Sequence, residues 1–322
     1  KKVAARGFVA GRVADCFYAL PFRLATWRKI IRLSLTMNPM PLWIDADPSG
    51  LVWTGLDCDD DLAILLALAL HKRNIIDMQG LSICGGNAPL SHTWLDINRL
   101  WTHAAGSTII NGKIAPLKGY GWRSMQVAVS LLRYLNILAP DVKDSEDASR
   151  ALAKRSQDAK LLGKMNILTL GPVMNLARAM QFREFDVNGI SHVYMMGGEL
   201  TGLAPLDLNF RSDRGGARQV IESDIPKTII SIQTCAQAIV TEEHLQQHSQ
   251  CWSSAAESAP AACALLPKMK QQIRLMPRYV NQAVKDRFPS GSRWNPSPNI
   301  DRGFIPWDIV ALLSVIYPNE FS

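Results

Sequence analysis

Six aspartates lie within seventeen residues near the start of the chain: Asp45, Asp47, Asp57, Asp59, Asp60 and Asp61. Carboxylates gathered this closely repel one another, and at a partly buried site the repulsion is relieved by protonation, by solvation or by a hard divalent cation. Asp59 and Asp60 directly precede the apolar run Leu62 to Leu70, so we expect them in a first helical turn, where the helix dipole favours anions. The pattern favours a metal site with oxygen ligands over a solvated acidic loop.

Further polar residues follow other short apolar runs. The sequence predicts strands over residues 42–44, 78–84, 166–170, 192–196 and 227–232, and most are followed by a helical pattern. This alternation predicts an α/β fold of the Rossmann-like kind, with a mostly parallel central sheet and helices on both faces. Ligands of such sheets bind beyond the carboxyl ends of the strands. We therefore expect one crevice to collect the polar groups at those ends, which are Asp45, Asp47, Asn87, Leu170 to Pro172, Asp207 and Asn209.

The alternation ends near residue 240. Residues 242–250 and 261–283 have helical patterns, the loop 289–301 follows, and a last helix over 308–316 begins after Pro306. We interpret the region between 240 and 300 as a helical insertion that covers the crevice.

The net charge of +7 is confined to one end of the chain. Residues 1–36 hold eight basic residues and one acidic residue, so the remaining 286 residues are neutral overall. A basic surface for nucleic acid is therefore not expected. No apolar run approaches the ~18 residues that a membrane helix needs, so no membrane partner is expected either.

Residues 1–36 form a basic extension, and we expect residues 37–322 to form the catalytic domain. The extension has the composition of an amphipathic organelle-targeting segment, although upstream or processed sequence is the favoured interpretation. The six cysteines are dispersed and form no CxxC pair, which is typical of a reducing compartment and does not favour a zinc site. We expect a cytoplasmic protein or, if the extension is a transit peptide, an organellar one.

Several motifs occur together in a known order. Residues 44–48 and 59–64 resemble the DxDPGxDDAxAI signature of the inosine-uridine-preferring nucleoside hydrolases. Five later segments resemble that family's VxGN, LxxGPLTN, MGG, AEFN and HD motifs, in the family's order: residues 84–87, 168–175, 195–198, 206–210 and 306–308. One DxD pair is weak evidence, whereas six motifs in order are specific. The resemblance covers residues 42–317 and implies a nucleoside hydrolase-like fold.

Two features depart from the family pattern. Eleven residues separate Asp47 from Asp59 where the signature has three, so an insertion of eight must loop out if Asp47 is to lie beside Asp60. Otherwise Asp57 becomes a rival ligand. Trp307 occupies the position of the family's late His, and an indole cannot protonate a leaving base as His can.

The resemblance implies one Ca²⁺ held by Asp47, Asp60, Asp308 and the backbone carbonyl of Leu170. It also implies that Asp59, Asn87, Asp207, Asn209 and Asp308 bind the sugar and that Met196 packs against it. The implied reaction is hydrolysis of the N-glycosidic bond of a ribonucleoside, with Asp47 taking a proton from the attacking water. Trp307 would stack on the leaving base, which favours purines. By family analogy, we expect a homodimer or homotetramer.

Other interpretations stay open at this point. A nucleoside-binding protein that has lost turnover would share the same motifs. A phosphoryl-transfer enzyme of the haloacid dehalogenase type also uses DxD, but it needs a downstream Lys and acidic pair that the strand at 166–170 lacks. His244 and His248 could imitate a metal pair, although a solvated helix face explains them better. Trp252, Tyr279 and Trp294 could stack on a base, although packing within the covering region is their more common use.

Overall fold

The central sheet of the described residues has six parallel strands in the order β3-β2-β1-β4-β5-β6. The computed structural model describes residues 38–50, 58–105, 115–121, 143–199, 207–247, 260–286, 288 and 295–318. The strands are β1 (Met40–Ala46), β2 (Ile76–Ile83), β3 (Pro116–Lys118), β4 (Met165–Thr169), β5 (Ile190–Met196) and β6 (Lys227–Ile230). The chain fills one side of β1 first and then returns to the other side, so the strand order reverses between β1 and β4. A reversal of this kind opens a crevice at the carboxyl ends of the two strands.

Twelve α-helices of the described residues surround the sheet and its edges. They are α1 (Asp59–Lys72), α2 (Leu90–Ala105), α3 (Asp147–Gln157), α4 (Ala159–Leu162), α5 (Met174–Ala179), α6 (Asn209–Ser212), α7 (Arg214–Glu222), α8 (Ile232–Cys235), α9 (Glu242–Gln247), α10 (Pro260–Met276), α11 (Gln282–Lys285) and α12 (Trp307–Ile316). Two hydrophobic clusters form the core: one includes residues of α1, α2, α10 and α12, and the other includes residues of α3, α5 and α7. None of the described helices is long and apolar enough to cross a bilayer.

Helix α1 is buried along most of its length. Its residues from Asp59 to Leu70 are all buried, and it packs against α12, which is buried from Asp308 to Val315. Leucine and alanine, both strong helix formers, make up most of α1, so local preference and burial agree. The acidic first turn of a buried helix is thereby fixed at the crevice.

The strand register places polar residues level with one another at this edge. Asp45 of β1 pairs with Ser82 of β2 on one side and with Thr169 of β4 on the other. Gly80 of β2 lies beneath the indole of Trp43, and a Cβ there would lie 2.7 Å from the ring atom Cη2. The close approach of this ring to the strand therefore requires glycine.

The predicted fold class is confirmed, and the five predicted strands are present with shifted ends. Three strands were not predicted: β3, of three residues, and the small antiparallel pair of β7 (Val240–Thr241) and β8 (Gly303–Phe304). The predicted helix over 261–283 is interrupted by one π-helical turn, Pro277–Asn281, where proline removes a backbone donor. The expected extension, residues 1–36, lies outside the described residues.

Candidate functional site

The first turn of α1 presents three carboxylates in succession, and each accepts a hydrogen bond from a different part of the backbone. The bonds run from Asp308 N to Asp59 Oδ2 (3.2 Å), from Asp47 N to Asp60 Oδ1 (3.0 Å) and from Gly50 N to Asp61 Oδ2 (3.0 Å). Consecutive helical residues point about 100° apart, so three side chains in a row reach three different segments. One helical turn thereby ties together the start of α12, the residue after β1 and the loop that follows it. We call Asp59, Asp60 and Asp61 the acidic turn.

Asp59, Asp60 and Asp308 form a compact carboxylate cluster. One oxygen from each of them lies within 4.8 Å of the others, and all three side chains are buried. Calcium binds oxygen ligands at about 2.3–2.6 Å, so two ligand oxygens on opposite sides of the ion lie about 5 Å apart. The separation of the three carboxylate oxygens here is of the same size. Because buried like charges repel strongly, the cluster fits a hard cation. The donor set is entirely oxygen, as the sequence predicts.

Asp47 lies beside this cluster and is held from two directions. Its Oδ2 accepts a hydrogen bond from Asn87 N at 2.6 Å, and Asn87 Nδ2 donates to Asp60 Oδ2 at 3.0 Å. Two glycines make room for the carboxylate, since a Cβ would lie 2.9 Å from Asp47 Cγ if added at Gly86 and 2.7 Å if added at Gly171. Asp47, Asp60 and Asn87 therefore form one hydrogen-bonded unit at the ends of β1 and β2.

Asn209 organises the neighbouring part of the crevice. Its Nδ2 donates to the carbonyl oxygens of Leu170 (2.5 Å) and Met196 (3.2 Å) and lies 3.4 Å from Met196 Sδ. Asp207 accepts hydrogen bonds from Asn209 N at 3.1 Å and Phe210 N at 3.0 Å. Burial raises the pKa of Asp207. The carbonyl of Leu170, which the resemblance assigns to the metal, is thus bonded to an amide that the resemblance assigns to the sugar.

The ends of the insertion meet. A Cβ added at Gly50 would lie 2.7 Å from Cys58 Cβ, so the residues on either side of segment 51–57 are in contact. The Cys58 thiol donates to Gln272 Oε1 of α10 at 3.1 Å, which connects this point to the covering region. The extra residues therefore do not separate Asp47 from Asp60. The segment itself, including the rival ligand Asp57, lies outside the described residues.

Asp45 belongs to a separate buried network. Its Oδ1 accepts hydrogen bonds from Ser82 Oγ (2.5 Å) and Asn175 Nδ2 (2.8 Å), and Ser82 Oγ accepts one from Trp43 Nε1 (2.9 Å). Burial raises the pKa of Asp45 to about 7, although both of its donors oppose that shift. Asp45 therefore braces β1 against β2 and α5 beneath the cluster.

The sequence analysis missed a carboxyl pair next to the cluster. The carboxyl groups of Asp61 and Asp96 adjoin each other, and both side chains are buried completely. Burial, then Asp96, raises the pKa of Asp61 well above its ordinary value. One signal was available: Asp96 lies on the same helical stripe as Ile97 and Leu100, which are core positions of α2.

The pKa values of the neighbouring thiols reflect the negative charge of the site. Burial raises the pKa of Cys84 well above its ordinary value, and Asp45, Asp47 and Asp60 raise it further. Burial and then Asp59 do the same for Cys235. These thiols therefore stay protonated and are poor nucleophiles.

Trp307 begins α12 next to Asp308. Its backbone oxygen accepts a weak hydrogen bond from the Cys235 thiol at 3.6 Å, and its half-buried side chain packs against the core. His244 does not point to a metal pair, because its Nδ1 accepts a hydrogen bond from Thr241 N at 3.1 Å. His248, Trp252, Trp294 and the Tyr279 side chain lie outside the described residues.

The structure thus brings nine of the ten sequence-predicted site residues to the crevice between β1 and β4 or its margin, and Trp307 adjoins them through the backbone. They are Asp47, Asp59, Asp60, Asn87, Leu170, Met196, Asp207, Asn209 and Asp308. Asp59, which the resemblance assigns to the sugar, lies in the carboxylate cluster with Asp60 and Asp308.

Comparisons with known proteins agree with this geometry. A family model described as inosine-uridine preferring nucleoside hydrolase matches residues 42–322. A plant nucleoside hydrolase, PpNRh1, superposes with a TM-score of 0.56 at 18% identity, covering 87% of this chain and 80% of its own. The purine-preferring ribonucleoside hydrolase from Gardnerella vaginalis gives a TM-score of 0.57 at 18% identity, covering 87% and 81%.

A third similar structure is the type III effector protein XopQ complexed with adenosine diphosphate ribose. It gives a TM-score of 0.60 at 16% identity and covers 90% of this chain and 84% of its own. At these identities the structures show a shared fold. No curated protein matches the sequence.

Proposed function

This chain belongs to the inosine-uridine preferring nucleoside hydrolase family, whose members are hydrolases of N-glycosyl compounds, and we propose that it uses Ca²⁺ to cleave ribonucleosides into free base and ribose. We further propose that it prefers purine nucleosides. One observation carries the proposal: the buried carboxylates of Asp59, Asp60 and Asp308 meet at the point where the strand order reverses.

Asp60 and Asp308 would hold the cation, together with Asp47 and the carbonyl of Leu170. Support comes from the carboxylate cluster and from the bond that joins Asp47 N to Asp60 Oδ1. When bound, Ca²⁺ would orient the attacking water and the sugar hydroxyls and would neutralise part of the carboxylate charge. Calcium acidifies water far less than zinc does, so a protein base must accept most of the proton.

Asp47 is the base in this proposal. The Asn87 N–H donates to Asp47 Oδ2, and a hydrogen bond from a backbone donor favours the charged carboxylate and fixes its orientation. Gly86 and Gly171 let the side chain lie close to the backbone on both sides. A base held in one orientation requires little reorganisation when the water loses its proton.

The remaining carboxylates would act through their charge. Cleavage of an N-glycosidic bond leaves positive charge on the sugar ring in the transition state, and fixed anions stabilise that charge more than they stabilise the neutral substrate. Asp59 and Asp207 are buried anion-forming groups at the crevice. Their stabilisation of the transition state would therefore raise kcat.

Sugar recognition would use amides as well as carboxylates. Asn87, Asp207 and Asn209 suit a diol, because carboxylates accept hydrogen bonds whereas amides both donate and accept. The Asn209 amide is already oriented by the carbonyls of Leu170 and Met196. The Met196 thioether lies against that amide and offers an apolar contact for the sugar ring.

Trp307 would contact the leaving base. Its indole can stack on a heterocycle but has no group that protonates a ring nitrogen. The larger face of a purine gains more from such stacking than a pyrimidine does, and this difference supports the purine preference. Protonation of the base would then depend on solvent.

A nucleoside panel tests the proposal. We expect the purified chain to release free ribose from inosine, adenosine and guanosine faster than from uridine and cytidine. A chelator should abolish release and added Ca²⁺ should restore it. Asp47→Ala should bind inosine without turnover. Asp186→Ala serves as the matched control, because Asp186 also accepts a backbone N–H but lies before β5, at the amino ends of the strands and away from the crevice.

The same panel separates hydrolysis from binding without turnover. XopQ, crystallised with adenosine diphosphate ribose, shows that the fold can hold a larger ribose-containing molecule. If inosine or adenosine diphosphate ribose binds but no ribose is released with Ca²⁺ present, the chain is a binding protein and the hydrolase proposal is wrong. If no member of the panel binds at all, both functions are excluded.

A further inference from the structure

Asp61 is the member of the acidic turn that the proposed chemistry does not use. It is fully buried, and its Oδ2 accepts a hydrogen bond from Gly50 N at 3.0 Å. Its carboxyl group also contacts that of Asp96 on α2, which is equally buried. Asp61 is thus linked to α2 and to the loop after β1 at once.

Gly50 connects Asp61 to the candidate site. It lies three residues beyond Asp47 and in contact with Cys58, the residue before the acidic turn. Eleven residues join Asp47 to Asp59, so the covalent chain alone leaves these two positions loosely related. The bond from Gly50 to Asp61 closes that loop at its base and keeps the residue after β1 against α1.

We propose that the Asp61–Asp96 pair is a positioning element that clamps Gly50 and thereby holds Asp47 beside Asp60. The expected effect on turnover rests on the proposed function, whereas the expected effect on the position of Asp47 does not. Asp61 would bind neither the substrate nor the cation. It acts through Gly50, and the bond from Asp47 N to Asp60 Oδ1 reports its effect.

Amide substitutions distinguish this role from a need for charge. In Asp61→Asn the side-chain oxygen still accepts from Gly50 N, and the amide NH₂ can donate to Asp96. In Asp61→Ala both contacts are lost. A positioning role therefore predicts rescue by asparagine, whereas a charge requirement predicts that both variants fail.

Amide hydrogen exchange over residues 42–50 is the primary measurement. In Asp61→Ala we expect the amides of Asp47 and Gly50 to exchange at least about tenfold faster than in the wild type, as the loss of a buried hydrogen bond to a carboxylate implies. In Asp61→Asn they should exchange within about threefold of the wild type. Asp186→Ala removes a similar bond at the amino ends of the strands and should leave both amides unchanged.

Turnover is the second measurement. Asp61→Ala should lower kcat about tenfold or more with little change in KM, because a displaced base affects the chemical step more than ground-state binding. Asp61→Asn should recover most of that loss. Should Asp61→Ala fail to fold, Asp61→Ala/Asp96→Ala replaces it, since that variant leaves no buried carboxyl group without its partner.

Unchanged exchange at both amides in the alanine variant would overturn the proposal, and so would equal losses of protection in the alanine and asparagine variants. Wild-type protein that releases no ribose would instead contradict the proposed function, because the exchange experiment needs no substrate. The two failures are therefore distinguishable.

Discussion

Asp45 and the acidic turn are equally buried, yet different kinds of donor hold them. Asp45 is held by side chains, through the hydroxyl of Ser82 and the amide of Asn175. Each carboxylate of the acidic turn accepts a backbone N–H, and the three donors come from separate segments; Asp60 also accepts from a side-chain amide, that of Asn87. The two groups of carboxylates lie at adjoining positions of one sheet edge.

The difference shows how partners decide what a buried carboxylate does. A single desolvated carboxyl group with neutral donors can take up a proton, and the pKa of Asp45 is accordingly raised to about 7. Several carboxylates anchored on rigid backbone cannot move apart, so their charge favours a cation. Asp45 is therefore a brace, whereas the carboxylate cluster is the candidate metal site.

We expect Asp60→Asn to give the largest effect of the three substitutions. If its effect is small, the contrast between Asp45 and the acidic turn fails. The change keeps the shape and the acceptor for Asp47 N but removes the charge. We expect kcat/KM to fall by about 10³-fold, which is typical of losing a group that stabilises transition-state charge. Ribose release measures this loss, and thermal unfolding with and without Ca²⁺ should show that the ion no longer stabilises the variant. If Ca²⁺ stabilised Asp60→Asn as much as it stabilises the wild type, the assignment of Asp60 as a ligand would be wrong.

Asp45→Asn should have the opposite character, with turnover mostly kept and the pH dependence of stability changed. Between about pH 4 and pH 7 the folded wild type keeps a proton on Asp45 that the unfolded chain has lost, so its stability falls as the pH rises. Asparagine imitates the protonated group and does not titrate. The variant should therefore lack a decline of about 2–4 kcal/mol between pH 4 and pH 8.

Urea unfolding at pH 4.5, 6 and 8 measures this slope, with Asp186→Asn as the half-buried control. If the wild type and Asp45→Asn lose stability in parallel as the pH rises, Asp45 is ionised in the folded protein and the contrast with the acidic turn fails.

Ser82→Ala should give the smallest effect. It removes a donor to Asp45 and the acceptor for Trp43 Nε1, so we expect a loss of about 1–3 kcal/mol in the free energy of unfolding. Because the Ser82 bond lowers the pKa of Asp45, its removal should move the decline in stability to higher pH. Urea unfolding across the same pH range tests both effects. An unchanged pH midpoint would mean that Ser82 does not bear on Asp45.

Strong local patterns made much of the fold predictable. Strands β1, β4 and β5 are short, mostly apolar runs closed by Gly, Pro or Asp, β2 alternates apolar and polar residues, and α1 continues as an apolar helix after its acidic first turn. Strand β3, of three residues, and the β7–β8 pair, of two residues each, have too few positions to show a period. These elements depend on tertiary packing, which the sequence does not display locally.

The site was predictable where residues belong to ordered motifs, as with the meeting of Asp59, Asp60 and Asp308. Asp61 and Asp96 were missed as a pair because 34 residues separate them and no motif links an acidic helix start to one buried position of α2. Asp45 and the acidic turn also differ in their hydrogen-bond donors, and these donors can be identified only when the register of the strands is known.

The contact between Gly50 and Cys58 has an evolutionary consequence. Because the two ends touch, a longer connection between them can be closed at little cost: doubling its length would add only about 0.6 kcal/mol of closure entropy. Natural variation, or an engineered graft, can therefore change the length and composition of this connection while the carboxylates of Asp47 and Asp60 keep their spacing.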